Sequence, residues 1–467
     1  MTETSIQPRR GFDPKLLPAV LTLAWPTMLE QLMQTAVQYI DTAMVGALGT
    51  AATAAVGATT TINWLIICLL SACGIGFLSV ISRASGAGDA QTVRRASAQA
   101  ALMVLVAGGA LTVLTTVCSP LVPVWMQVDK PIRAMAGQYF LILYLPTLFR
   151  AASIIFGTVL RAVGDAKTPM RAGVGANILN VVLNFLLIYP TRTIRILGRS
   201  VRCIGAGWGV AGAAAASAVS YAVAGVVITL VLWRHPALSP RGMKLRPDGT
   251  VLRPWRQVAF PLMLQQLATC MGYIVFAAMI NALGEISAAA HTIANTVESA
   301  FYVPGYGMQN AAAALCGAAV GAHDRDRLRA LGHTIRAVEV ALMLISGALL
   351  FAFAPAMVRL FTKSPEAIRL GSTVLRMVAC SEPFYGVSIV TEGMLQGAGQ
   401  TCIPLAYNLI GMWGVRIVGT FLCTRVFGLG LIAAWGCMIA NNLLIFLLYL
   451  VYLLRGRLDR LSGGAAD

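Results

Sequence analysis

Runs of twenty or more apolar residues recur along this 467-residue chain, and they constrain its fold more than any other feature. That is the length an α-helix needs to cross a bilayer, and a soluble protein has little use for so many. The chain is 58% hydrophobic and only 11% charged, where a soluble domain is about 25% charged. Segments of about ten residues with strict alternation, the mark of a membrane barrel, do not occur. The pattern predicts an all-α polytopic membrane protein. Its helices are predicted at 16–47, 51–82, 92–118, 132–158, 168–190, 208–234, 253–282, 286–318, 328–357, 366–394, 402–424 and 429–454. The first is read as a retained helix rather than a signal peptide, because Ala24-Trp25-Pro26 does not resemble a cleavage site.

Twelve spans put both termini on one side. Basic residues mark that side. They lie in the N-terminal tail (Arg9, Arg10, Lys15), at Arg83, Arg94 and Arg95, at Arg161, Lys167 and Arg171, and in a central loop with Arg234, Arg241, Lys244, Arg246, Arg253 and Arg256. Arg325, Arg327, Arg329, Arg455, Arg457 and Arg460 continue the series. The positive-inside rule assigns this face to the cytoplasm, which accounts for the net charge of +17 without nucleic acid. The exception is the loop 190–204, with Arg192, Arg195, Arg199 and Arg202.

The chain repeats itself. Ala24-x-Pro26-x-Met28-Leu29-x-Gln31-Leu32 returns as Ala259-x-Pro261-x-Met263-Leu264-x-Gln266-Leu267. Pro26 and Pro261, Gly49 and Gly284, Asp89 and Asp324, and Gly164 and Gly399 are each 235 residues apart. Gly209 and Gly430 are 221 apart, so the first half carries about 14 extra residues, assigned to the arginine-bearing loop. An offset of six helices makes the halves parallel repeats, with substrate expected between them near the midplane. The predicted units are a cytoplasmic tail 1–15, an N-lobe 16–234, a cytoplasmic inter-lobe loop 235–252, a C-lobe 253–454 and a cytoplasmic tail 455–467.

Polar residues inside apolar helices are the candidate site. Glu30, Gln34, Gln38 and Asp41 share one face of the first helix at helical spacing. An acid inside a membrane helix costs about 2.5–3.5 kcal/mol or more. It therefore either faces an ion or proton path or is satisfied by a neighbouring helix. Asn177, Asn180 and Asn184 form a stripe on helix five, as helix glue or as oxygen ligands. A carboxylate with amide oxygens and hydroxyls suits a monovalent cation or a resident proton. Helix two adds Thr60 and Asn63, whose repeat partners are Asn295 and Glu298. His291, Asn295, Glu298 and Tyr302 form the matching stripe, and Glu298 is the second lobe's candidate acid. Cavity candidates are Gln34, Gln38, Asn63, Tyr139, Asn177, Asn295, Glu298 and Tyr302.

Other features have plainer readings. Arg416 is expected to pair with Glu382 or Glu392, and Arg150 calls for an acid partner. Gly205, Gly207, Gly209 and Gly212 resemble a nucleotide fingerprint only faintly, and with no strand predicted before them they read as close helix packing. No phosphate-binding Gly-Lys-Ser/Thr loop is present, so ATP is not the evident energy source. Ten cysteines without a Cys-x-x-Cys pair and four dispersed histidines suggest neither disulfides nor a metal centre. Pro26, Pro261 and Pro304 are expected to kink their helices.

These residues together resemble the multidrug and toxic compound extrusion (MATE) transporters. The resemblance rests on Pro26…Asp41-Thr-x-Met44-Val45-Gly46-x-Leu48-Gly49, Gly86-x-Gly88-Asp89 and Leu160-Arg161-x-x-Gly164-Asp165-x-Lys167-Thr168-Pro169. It continues through Gly209-Val210-x-Gly212-Ala213-Ala214 and Leu395-Gln396-Gly397-Ala398-Gly399-Gln400-Thr401. The resemblance implies a V-shaped, two-lobed bacterial plasma-membrane antiporter, a monomer that exports cationic or amphiphilic drugs in exchange for Na+ or H+, with no other cofactor. It also implies that Asp41, Asn180, Asn184 and Ser217 bind the coupling ion, with Na+ possible at Asp41, Asn180 and Asn184. The DinF-like branch usually has Asp where this chain has Asn184, and the NorM-like branch has Asn. The helix-seven acid of NorM-like members is missing near Thr269, so the chain falls between the branches. Two rival functions fit parts of the pattern. A lipid-linked oligosaccharide flippase would want basic residues in the cavity, with Arg150 and Arg416 as candidates. An intramembrane enzyme would pair Asp41 with Glu298.

Overall fold

The computed structural model describes residues 12–196, 199–243 and 245–456, with the backbone alone for 192–196 and 199–204. Basic residues 9, 10, 244, 457 and 460 lie outside it. The first half holds α1 (Leu17–Gly46), α2 (Thr50–Gly86), α3 (Ala90–Cys118), α4 (Lys130–Tyr144), α5 (Thr147–Ala162), α6 (Lys167–Ile188) and α7 (Gly209–Arg234). The second holds α8 (Gly249–Asn281), α9 (Glu285–Gly321), α10 (Arg325–Arg359), α11 (Pro365–Ala379), α12 (Glu382–Gly397), α13 (Cys402–Val426) and α14 (Leu431–Leu454). Among the described residues eight helices are long and apolar enough to cross a membrane, or nine if the bent pair α4–α5 is one span. Helices α1, α9 and the α11–α12 pair fall outside that count, and they carry Glu30, Asp41, Glu298, Glu382 and Glu392. Exposed Val106, Val113, Val117, Leu344 and Ile345 give α3 and α10 the apolar outer faces that lipid requires.

The repeat is visible in the element boundaries. Thr50 and Glu285, Gly86 and Gly321, Lys130 and Pro365, Thr147 and Glu382, and Lys167 and Cys402 begin or end matching helices 235 residues apart. Asp89 and Asp324 cap α3 and α10 by accepting from the backbone N–H groups of Thr92 and Arg327, each at 2.9 Å. The Thr92 hydroxyl beside Asp89 holds its carboxyl below the usual range. Gly49 and Gly284 adopt φ of 114° and 102°, a turn that favours glycine in both halves.

Several local expectations are corrected. The predicted fourth helix breaks at Pro146, where α4 and α5 meet at 48°. Proline lacks the N–H that would continue the ladder. The tenth breaks at Cys380–Ser381, before Pro383 in the first turn of α12. Pro26, Pro261 and Pro304 lie inside α1, α8 and α9, whose helices continue past them. The loop at 190–204 is a hairpin, β1 (Pro190–Ile196) against β2 (Arg199–Ala206), so a strand does precede the glycines at 205–212. That strand is half of an antiparallel pair rather than of a nucleotide-binding unit. A Cβ at Gly212 would stand 2.5 Å from the Leu187 carbonyl oxygen, so this glycine serves close helix packing.

The two halves meet at the end that carries the basic loops. A Cβ on Gly86 would lie 1.9 Å from the Ala318 carbonyl oxygen, and one on Gly321 would lie 1.9 Å from that of Arg83. These contacts are mates under the repeat, since Arg83 and Ala318, and Gly86 and Gly321, are each 235 apart. Further along, Thr27 donates to the Gly307 carbonyl at 2.8 Å. Toward the opposite end, Tyr39 donates to the Thr296 carbonyl at 2.8 Å, and Trp64 meets Tyr273 edge-on at 5.6 Å.

Candidate functional site

Asp41 projects from the last two turns of α1, toward the end of the N-lobe opposite the basic loops. Asn184 and Asn180 lie one turn apart on α6, and Ser217 lies on α7. The four side chains form one hydrogen-bonded chain. Asn184 Nδ2 donates to Asp41 Oδ1 at 2.5 Å and to Asn180 Oδ1 at 3.0 Å, and Asn180 Nδ2 donates to Ser217 Oγ at 3.0 Å. Asn180 and Asn184 are buried, whereas Asp41 is half-buried. Asn184 Oδ1 is buried without a donor, and such an oxygen is costly unless something occupies it. Together these atoms are an all-oxygen acceptor set able to hold a hard monovalent cation or a proton. Tyr139 lies within electrostatic range of both Asp41 and Arg150. Tyr189 fixes the end of α1 by donating to the Met44 carbonyl at 3.0 Å.

The remaining N-lobe candidates separate from this chain. Glu30 is engaged by Arg161 at 2.5 Å, which clamps α1 to α5. Gln34 and Gln38 are exposed, and Asn177 has a buried Nδ2 without an acceptor. Asn63 is a structural partner. Its Oδ1 accepts from Arg150 Nη1 and from the Tyr144 hydroxyl, both at 2.8 Å. Arg150 also lies over the Tyr221 ring at 4.4 Å. The buried guanidinium is therefore held by an amide and an aromatic face rather than by the acid the sequence called for.

The C-lobe concentrates buried acids. Glu298 on α9, Glu339 on α10 and Glu382 at the start of α12 are 6%, 0% and 1% exposed. Both carboxylate oxygens of Glu339 and of Glu382 lack a hydrogen-bond partner. Arg416 on α13 lies within electrostatic range of Glu298 and stacks on Phe276 at 4.1 Å and Tyr273 at 4.7 Å. It is not paired with Glu382 or Glu392, which corrects the expected ion pair. Glu392 instead accepts from Gln265 at 2.8 Å and from Gln396 at 3.1 Å. The stripe on α9 also divides. Tyr302 packs edge-on against Tyr306 and Tyr385, His291 sits between Phe276 and Trp435, and Asn295 is exposed.

Glu339 was missed by the sequence reading, although the repeat contained the signal. Gly305 and Gly386 make room for its carboxylate, since a Cβ on either would lie 2.8 or 3.0 Å from Glu339 Oε1. In the N-lobe the three matching positions are Leu70, Ala151 and Val104, all buried and apolar. An acid and two glycines have thus replaced three hydrophobic residues together.

Known proteins share this organisation. The MatE family profile matches residues 26–186 and 261–422, one block in each half. The chain belongs to the MatE family. A probable multidrug resistance protein NorM of Thermotoga maritima is 25% identical over 447 residues, covering 96% of this chain and 94% of that one. Two solved structures superpose over 99% of both chains and support the same fold. One is an outward-facing multidrug resistance MATE family transporter of the MOP superfamily, at 23% identity and a TM-score of 0.88. The other is a MOP superfamily transporter from Pyrococcus furiosus, at 24% identity and a TM-score of 0.87. This MatE chain thus has a multi-pass, two-lobed membrane fold, with a polar chain in one lobe and a carboxylate cluster in the other.

Proposed function

We propose that this MatE protein is a secondary active antiporter that exports cationic or amphiphilic drugs in exchange for Na+ or H+ by alternating access. The observation that carries the reading is the Asp41–Asn184–Asn180–Ser217 chain, which ties α1 to α6 and α7 inside one lobe. The multidrug resistance name of its Thermotoga relative supports the substrate class. Ionised, Asp41 accepts the Asn184 amide and holds the end of α1 against α6. A proton or Na+ on Asp41 weakens the demand for that amide, and Asn184 can turn its unpartnered oxygen toward the new charge. Coupling follows because the ion favours one arrangement of α1 over the other. The basic end is placed in the cytoplasm by its charge, the molecule works in a bacterial plasma membrane, and a monomer suffices because two lobes already enclose one path.

Arg150 and Arg416 are buried and stacked on aromatic rings, which leaves neither presented to a pyrophosphate and favours drug export over the flippase reading. Asp41 and Glu298 lie in different lobes, which argues against an enzyme that uses them as a pair. The test is ethidium efflux from cells expressing the wild type or Asp41→Asn at equal membrane abundance. Loss of efflux in the variant is expected, and wild-type efflux by the variant would overturn the assignment.

A further inference from the structure

Four positions that meet inside each lobe carry different chemistry in the two halves. In the N-lobe they are Glu30, Gly157, Arg161 and Gly173. Glu30 and Arg161 form the ion pair that clamps α1 to α5. The two glycines border it, since a Cβ on Gly157 would lie 3.9 Å from Arg161 and one on Gly173 3.4 Å from Glu30. Shifted by the repeat of 235 residues, the same four positions are Gln265, Glu392, Gln396 and Asn408. The acid and the arginine have both become glutamine, and one glycine has become an acid. An ion pair in one lobe is thus matched by a lone carboxyl among amides in the other.

Glu392 Oε1 accepts from Gln265 Nε2 at 2.8 Å and from Gln396 Nε2 at 3.1 Å, and the Asn408 amide reaches the same carboxyl. Among the described residues no cation pairs with Glu392. The titratable groups that face it from neighbouring helices are the phenols of Tyr306 on α9 and Tyr449 on α14, uncharged near neutral pH. Glu339 of α10 meets α12 at Gly386, and Arg83 of α2 meets the chain at Gly399, past the end of α12. A carboxylate inside a membrane helix with no countercharge is costly, and a second cost accompanies it. Gln265 is 5% exposed, and its Oε1 has no donor. One proton on the other oxygen of Glu392 removes both costs. It neutralises the acid and supplies the O–H donor that Gln265 Oε1 lacks. A metal ion would also answer the charge, but the crevice beside Gln265, lined by Thr269, Asn408, Met412 and Trp413, is too tight for a water molecule and leaves no room for an ion with its oxygen ligands.

We infer that Glu392 is a proton-binding site, its carboxyl and the Gln265 amide exchanging two hydrogen bonds as an acid–amide pair that fastens α8 to α12 where the N-lobe uses the Glu30–Arg161 ion pair. Glu392 is half-buried, so protons reach it in the folded protein. The pair lies beside the contact between the lobes. Just over one turn further along α12, the Gly397 carbonyl accepts from Ser79 of the N-lobe at 3.0 Å. Thr401 then donates to the carbonyl oxygens of Gln257 and Val258 on α8 at 3.2 and 3.1 Å. Loss of the proton leaves an uncompensated charge next to these bonds and loosens α12 from α8, so the proton favours the state in which the basic end is closed.

The experiment reads protonation rather than transport, so its result is separate from that of the Asp41 assignment. The full chain, purified in a neutral detergent, is compared with Glu392→Gln and Gln265→Leu by infrared difference spectroscopy at neutral pH. Glu392→Gln should lose one protonated-carboxyl band and stay folded, because an amide can pair with Gln265 as the protonated acid does. Gln265→Leu should move the same band to higher frequency by removing its hydrogen bonds. Melting curves give a second readout. A proton held in the folded state and released on unfolding makes stability fall as pH rises, by about tenfold in the unfolding equilibrium per pH unit. The wild type should therefore lose stability toward alkaline pH more steeply than Glu392→Gln. Equal protonated-carboxyl absorbance in wild type and Glu392→Gln would overturn the proposal. If that variant does not fold, the Gln265→Leu spectrum decides, and an unshifted band overturns the pairing. A wild-type band removed by sodium chloride but not by choline chloride would also overturn it, since the site would then hold sodium.

Discussion

The contact of Gly86 and Gly321 with the opposite half gives the sharpest mechanical test. Alanine at either position would place its Cβ 1.9 Å from a carbonyl oxygen of the other lobe. An unstrained carbon–oxygen contact is about 3.3–3.6 Å, so the lobes must part there by roughly 1.5 Å. Overpacking of a tight contact costs about 1–3 kcal/mol. That cost falls only on the state with the basic end closed, and it changes the ratio of closed to open molecules by about 5–150-fold. Gly175→Ala is the control, since nothing lies within 4 Å of its Cβ position. The assay is spin-label distance measurement between Gln91→Cys and Asp326→Cys, a repeat-related pair on exposed turns at that end. Gly86→Ala and Gly321→Ala should each move population from the short to the long distance, and together they should do so further. Identical distributions in wild type, Gly175→Ala and the double variant would refute the reasoning.

Three further outcomes follow from the buried polar groups. Arg161→Met should lower the melting temperature by breaking the mostly buried clamp on Glu30, at a cost of about 3–5 kcal/mol, and adding Glu30→Met should recover most of the loss. Asn63→Ala removes the acceptor shared by Arg150 and Tyr144, at about 1–3 kcal/mol for each group left unpaired; Asn63→Asp, which keeps an acceptor, should be the more stable variant in the same thermal assay. Glu339→Met removes a carboxylate that has no hydrogen-bond partner, and it should stabilise the protein by about 1–3 kcal/mol. A lower melting temperature would contradict the view that this unpartnered carboxylate is a cost to stability.

The regular parts of the molecule were legible because they follow from periodicity and from the repeat. The 235-residue shift located matching helix ends, turns and caps, the spacing put Asn180 and Asn184 on one face of their helix, and the resemblance to MATE transporters joined Asp41 and Ser217 to them. What escaped depended on three-dimensional neighbours. The partner of Arg150 is an amide 87 residues away in sequence, and no charge rule points to an amide. Glu30 shared a stripe with Asp41, but the stripe could not show that Arg161 would take it. The arginine-rich insertion read as a loop because its strands are short and charged, and the hairpin is defined by pairing across it. Glu339 was hidden by a search for stripes, since a lone acid has no periodicity. A position-by-position comparison of the halves would have found it beside its two glycines.

The central claim is that a cation gradient acts through Asp41. The direct measurement is ethidium transport by purified protein in liposomes, with sodium and proton gradients imposed separately and Asp41→Asn reconstituted alongside. The account predicts transport driven by one of the two gradients and lost in the variant. Gradient-driven transport that survives Asp41→Asn, or no transport under either gradient, would contradict it.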